Sequence, residues 1–189
     1  RLFHSRRWLP NDRVLDVAVG QDGSVSAKTA SGIGRLTRRR WTLDEKMAAI
    51  HSMLRKYHLR KGFSTQYILR EPGNLEGGSV QSDDDNDGLW TAEYLAAQCY
   101  RYAVTGAPEA QAHARACLEA LMRLVEVTGL PGFFARAMYR MDDDTVSAVA
   151  GEWHLSADGQ WVWKGDTSSD EMDGHMYAYG VYYDLVADE

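Results

Sequence analysis

The stretch LWTAEYLAAQCYRYAVTGAPEAQAHARACLEALMRLVEVTGL, residues 89–130, decides the fold. Its first half, from Leu89 to about Val104, reads as a helix closed by Thr105-Gly106-Ala107-Pro108. A glycine just past one helix and a proline in the first turn of the next is the expected punctuation, because glycine accepts the left-handed cap and proline needs no amide partner at a helix start. In the second half Ala110, Ala114, Cys117, Leu121, Leu124 and Thr128 follow at alternating spacings of four and three, the repeat of one helix face. Gly129-Leu130-Pro131-Gly132 stops it. Two such helices joined by so short a turn predict a tight antiparallel hairpin.

Toward the carboxyl end, Glu152–Lys164 predicts a β-hairpin turning at Asp158-Gly159, with tryptophans at 153, 161 and 163. A last helix is expected from about Ser169, burying Met172, Met176, Tyr179, Tyr183 and Val186. Toward the amino end, Thr42 and Glu45 have capping-box spacing, and Met47, Ile50, Leu54 and Tyr57 share a helix face. Gly62 ends that helix, and Phe63–Leu69 predicts a short extended run leading to a Pro72-Gly73 turn. Residues before about 37 change period. Val14, Asp16 and Ala18 alternate with Leu15, Val17 and Val19, Gly20-Gln21-Asp22-Gly23 turns, and Ser24–Thr29 and Ile33–Leu36 follow as further strands. Three short strands cannot hold a core alone and need neighbours. The chain thus divides into residues 1–36, a basic linker at 37–40 and a helical part at 41–189. The expected fold class is mainly α, antiparallel helical hairpins with a short amino-terminal β blade and a β-hairpin insertion.

The net charge of −6 argues against nucleic-acid and anionic-membrane partners, neither of which rewards an acidic surface. The one basic run, Arg35 with Arg38, Arg39 and Arg40, has no interleaved aromatics and reads as solvated linker. No apolar run approaches the ~20 residues of a membrane span. Cys99 and Cys117 fall on facing helices, where a bridge is geometrically feasible, but they read as small buried apolar residues. Without a Cys-x-x-Cys pair, neither zinc nor thioredoxin-type chemistry is supported.

Three constellations carry chemistry. Asp83-Asp84-Asp85-Asn86-Asp87-Gly88 opens like a calcium loop, with Asp83, Asp85 and Asp87 at positions one, three and five, but position twelve is Tyr94 where a bidentate Glu is required. Two other readings stay open: acids favouring the positive end of the next helix, or a pocket mouth with Trp90 and Tyr94 as an aromatic platform for a polyhydroxylated ligand. The second constellation, Ser168-Ser169-Asp170-Glu171-Met172-Asp173-Gly174-His175, has capping-box spacing that accounts for Ser168 and Glu171. Capping explains neither Gly174 inside the helix, which costs roughly 1 kcal/mol against alanine, nor His175. Glu171 and His175 form one stripe, Asp173 and Tyr177 another. At a helix start a carboxylate's pKa falls, so Asp170 and Glu171 would serve as base or acceptor unless a dry pocket raised it. The third is Pro131-Gly132-Phe133-Phe134-Ala135-Arg136, followed by Tyr139-Arg140; Arg136 or Arg140 suits a carboxylate of the ligand, and a plain surface arginine after a helix is the other reading.

Trp8-Leu9-Pro10-Asn11-Asp12-Arg13-Val14, Val17-Ala18-Val19, Asp22-Gly23-Ser24-Val25 and Thr29-Ala30-Ser31-Gly32-Ile33 resemble one two-component-regulator propeller repeat, with Ser26, Ala27 and Lys28 departing from its third strand. The resemblance implies a periplasmic or extracellular setting in a bacterial receptor. Asn86-Asp87-Gly88-Leu89-Trp90-Thr91-Ala92, Leu130-Pro131-Gly132-Phe133 and the Ser168–His175 segment resemble part of an α/α toroid of the six-hairpin glycosidase type. Together they imply a fragment, a last blade running into the opening helices of a ring, whose partners are a glycan and the missing blades and helices. On that expectation a glycan is bound, and in a hydrolase or lyase cleaved, at the polar helix starts. Asp87, Asp170, Asp173 and His175 are the catalytic candidates, and Trp90, Tyr94, Arg136, Glu171 and Tyr177 bind substrate. A hydrolase would set Asp85 or Asp87 against Asp170 or Asp173. A lyase would use His175 or Tyr177 as base, with Arg136 neutralising a uronate. A non-catalytic glycan-sensing or protein-interaction ectodomain is the alternative.

Overall fold

A computed structural model describes residues 3–5, 8–71, 73–83, 85–143, 146–148 and 150–187, with the side chains of 81–83 and 146–148 left aside. The chain forms two compact units, residues 1–53 with 67–80, and residues 54–66 with 81–189.

In the first unit β1 (Val14–Val19), β2 (Val25–Thr29) and β3 (Gly32–Leu36) form an antiparallel meander. Gly23, at φ 74°, makes the first turn, where Asp22 accepts the Ser24 amide and pairs with Arg35 at 2.8 Å. Every residue of β1 is exposed, and burial in the meander is confined to positions such as Ala27 and Thr29 of β2. Helix α1 (Leu43–Met53) starts with the expected reciprocal box: the Glu45 carboxylate accepts the Thr42 amide at 2.8 Å, and the Thr42 hydroxyl accepts the Glu45 amide at 3.2 Å. The unit also holds most of β6 (Gln66–Leu69) and the start of β7 (Ser79–Asp83). Pro72 of the expected turn lies outside the described residues.

The second unit opens on a π-helical turn, Leu54–His58, followed by the ribbon of β4 (Leu59–Arg60) and β5 (Phe63–Ser64). Its body is the predicted hairpin, α2 (Asp87–Thr105) and α3 (Pro108–Glu126), with Gly106 left-handed at φ 62° between them. Helix α4 (Ser169–Leu185) packs against α2. The core gathers Leu95, Cys99, Cys117, Leu121 and Leu124 from the hairpin, Phe63 from β5 and Trp163 from the sheet beside it. That sheet runs β10 (Trp153–Leu155), β11 (Trp161–Lys164), β8 (Met138–Arg140), all antiparallel. The end of β7 pairs in parallel with β9 (Val146–Ala148).

The mainly α class is therefore corrected. The chain is 41% helix and 21% strand, a mixed α/β fold with four α-helices and several small sheets among the described residues, not an arc of an α/α toroid. What reads as long loops between helices holds strands of two to five residues. The tryptophan hairpin is not an insertion, because β11 is the central strand and pairs with β8 on its other edge. The buried face of α4 is corrected as well. Val186 is buried and Tyr179 packs partly buried against the core as expected, but Met172, Met176 and Tyr183 are exposed, and Glu171, Gly174, His175 and Ala178 face inward. Small residues win over larger apolar ones here because they let α2 approach closely.

Candidate functional site

The starts of α2 and α4 share one mouth. Asn86, in the left-handed conformation at φ 55°, turns the chain into α2, a region asparagine tolerates better than most residues. Its amide donates to the Asp170 carboxylate at 3.3 Å and accepts from the Ser168 hydroxyl at 3.3 Å. Ser168 thus spends its hydroxyl on the neighbouring helix, and the capping box expected with Glu171 does not form. Arg136 ties the mouth to the sheet: its amide donates to the Lys164 carbonyl and its carbonyl accepts the Asp87 amide. Its guanidinium pairs with Asp85 and donates to the Asp166 carbonyl at 3.2 Å. The indole N–H of Trp90 donates to the Asp85 carbonyl at 3.0 Å, holding a ring that is 47% exposed.

Beneath this rim lies a dry floor. A Cβ added at Gly88 would collide with Glu171 Oε2 and stand 2.6 Å from His175 Cε1, and one at Gly174 would stand 2.8 Å from the Leu89 Cα. Both glycines are there for close approach of the two helices, which supplies the reason for Gly174 that capping could not. Glu171 and His175 are fully buried. Burial pushes the Glu171 carboxyl up to about 8, against the lowering effect of the Gly88 and Leu89 amides and of Arg136. Those amides face the carboxyl, but neither oxygen reaches full hydrogen-bond geometry. Desolvation therefore outweighs the helix starts, reversing the expected lowered pKa. Burial also holds His175 below the ordinary imidazole value; its Nδ1 lies 2.7 Å from the Glu171 carbonyl, and Phe134 and Tyr179 pack edge-on against its ring. At neutral pH the floor is an uncharged acid beside an uncharged imidazole.

The predicted residues sort cleanly. Asp170, Trp90 and Arg136 meet at the rim, joined by Asn86 and Asp85. Asp87 is buried in the first turn of α2, where its carbonyl accepts the Thr91 hydroxyl at 2.6 Å. Glu171 and His175 are floor, not surface. Tyr94 is core at 6% exposure, so the paired platform with Trp90 does not form: one turn of helix carries the second ring from solvent into the hairpin. Tyr177 is exposed and hydrogen-bonded to Tyr100, two turns along from Asp170, and Asp173 is exposed with no role in the mouth's hydrogen bonds. The calcium-loop reading does not fit. Helix α2 begins at Asp87, the fifth loop position, Asp85 is engaged by Arg136, and the twelfth position is the buried Tyr94. Asp84 lies outside the described residues, and nothing is said of the Asp83 side chain. Cys99 and Cys117 are buried and unbridged, their thiols pushed by desolvation to about 11 and 12, so both are inert at neutral pH. Asn86 is the residue the spacing arguments passed over; the Asn-Asp-Gly run before a helix was its signal.

Among the described residues no helix is long and apolar enough to cross a membrane. Compared with family models, curated proteins and solved structures, the chain finds no match.

Proposed function

We propose that the rim of the α2–α4 mouth binds a glycan and that this chain does so without cleaving it. The observation that carries the reading is the convergence of two polar helix starts, Asn86 bonded to both Asp170 and Ser168, beside the half-exposed, oriented ring of Trp90. An aromatic face packs against the C–H face of a sugar ring, while carboxylate, amide and hydroxyl groups bridge its hydroxyls. Cleavage by the usual route asks for two carboxyl groups flanking the scissile bond. Among the described residues the rim presents Asp170, whereas Asp85 is held by Arg136 and both Asp87 and Glu171 are covered.

The test is calorimetric titration against a panel of neutral and acidic oligosaccharides, followed by assay of the same mixtures for new reducing ends and unsaturated products. Binding should weaken at least tenfold in both Trp90→Ala and Asp170→Asn, with no product formed. Unchanged affinity in both variants would overturn the site, and product release abolished by Asp170→Asn would overturn the non-catalytic part.

A further inference from the structure

The floor of the α2–α4 mouth holds polar groups that the rim does not use. Glu171 and His175 are fully buried, and among the described residues neither Glu171 oxygen nor His175 Nε2 has a hydrogen-bond partner. The groups around the carboxyl come from four elements. The start of α2 brings the Gly88 and Leu89 amides to face it and sets the buried Asp87 one residue away. The segment before α2 contributes Asp85, and the residues before β8 contribute Arg136. Helix α4 itself carries Asp170 beside it and His175 one turn on. The rim's bonds cross the same seam. Asn86, just before α2, is bonded to Asp170 and Ser168 at the start of α4, within one turn of the contact between Gly88 and Glu171.

We propose that Glu171 is a proton latch: the two helix starts stay closed and the rim stays assembled while its carboxyl is protonated, and they part when it ionises. The physical reason is room. A carboxylate without hydrogen bonds cannot stay in a dry place, so it must draw in water or move onto the nearby amides. Either needs space, and the seam leaves none, because even a methyl group at Gly88 would collide with Glu171 Oε2. The amides and Arg136 favour the ion, yet burial outweighs them and holds the carboxyl up to about 8. His175 adds no charge in that range, since burial lowers its value from 6.5. The latch is thus closed below about 8 and open above it, the sense required of an acid whose folded value is raised. Parting breaks the Asn86 bonds and moves Trp90, whose indole N–H is tied to the Asp85 carbonyl. The device stands on the junction alone and is independent of what the rim binds.

Fluorine NMR of the full chain labelled with 5-fluorotryptophan tests this between pH 6 and 9.5, with Trp90→Phe assigning the resonance. In wild type the Trp90 signal should move to a new position with a midpoint near 8, while far-UV circular dichroism stays native. Glu171→Gln and Glu171→Leu leave no side-chain proton to lose there, so in both the signal should keep its low-pH position. A Trp90 signal that holds still in wild type would overturn the latch even if Glu171 itself titrates. So would a shift that persists in both variants. Helix content lost with the same midpoint would overturn it too, because that is unfolding of the whole chain and not the parting of one seam.

Discussion

The rim and the floor of the α2–α4 mouth are built from adjacent residues in opposite environments. Asp170 faces water and accepts from Asn86, whereas Glu171, the next residue, is sealed between the helices against Gly88. The rim keeps its polar groups solvated and paired. The floor removes water from an acid and an imidazole and leaves both uncharged. One hundred degrees of helix rotation separates a group suited to meeting a ligand from one that serves packing.

The largest expected effect that separates the two regions is on stability against pH. The folded Glu171 pKa is raised from 4.5 to about 8, so the folded state holds a proton that the unfolded chain has released between those values. Stability therefore falls as pH rises through that window, by roughly 1.4 kcal/mol per unit, and levels off above it. His175, with its folded pKa lowered, acts oppositely: the unfolded chain binds the extra proton, and stability falls as pH drops below about 6.5. Urea melts of wild type and Glu171→Gln from pH 5 to 9 should show the alkaline loss in wild type and its disappearance in the amide variant.

A smaller effect contrasts two glycines of α4. Gly174→Ala gains about 1 kcal/mol of helix propensity but forces its methyl toward the Leu89 backbone at a cost of roughly 1–3 kcal/mol, a net loss of up to about 2 kcal/mol. Gly180 has open space around it, so Gly180→Ala should stabilise by about 0.5–1 kcal/mol. Thermal melts that move in the same direction for both would break the close-approach account. The smallest effect belongs to the rim. Asp85→Asn removes an ion pair whose acid is well exposed and should cost less than about 1 kcal/mol, while freeing the Trp90 ring enough to shift its fluorescence.

The hairpin was legible because two 19-residue helices give the four-and-three repeat room to declare itself, and Gly106 and Pro108 mark the join. The buried residues of α3 from Ala110 to Leu124 include every apolar position that the spacing picked out. Strands such as β4 and β8 were illegible, since two or three residues carry no period. The face of α4 was misread for a physical reason: ranking by hydrophobicity favours Met172 and Met176, whereas the packing follows the small residues Gly174 and Ala178 that admit α2. In the second constellation, stripes of acid and histidine on a helix do not declare whether they face water or a neighbour. Only the position of Gly88 against them decides it.

The central claim, that a carboxyl group sits protonated on a dry floor one residue from a solvent-exposed rim, is tested most directly by carbon-detected NMR titration of glutamate side chains, with Glu171→Gln identifying the resonance. The account predicts a Glu171 midpoint near 8. A midpoint near the ordinary 4.5 would show the group solvated and would contradict the buried junction from which the site has been built.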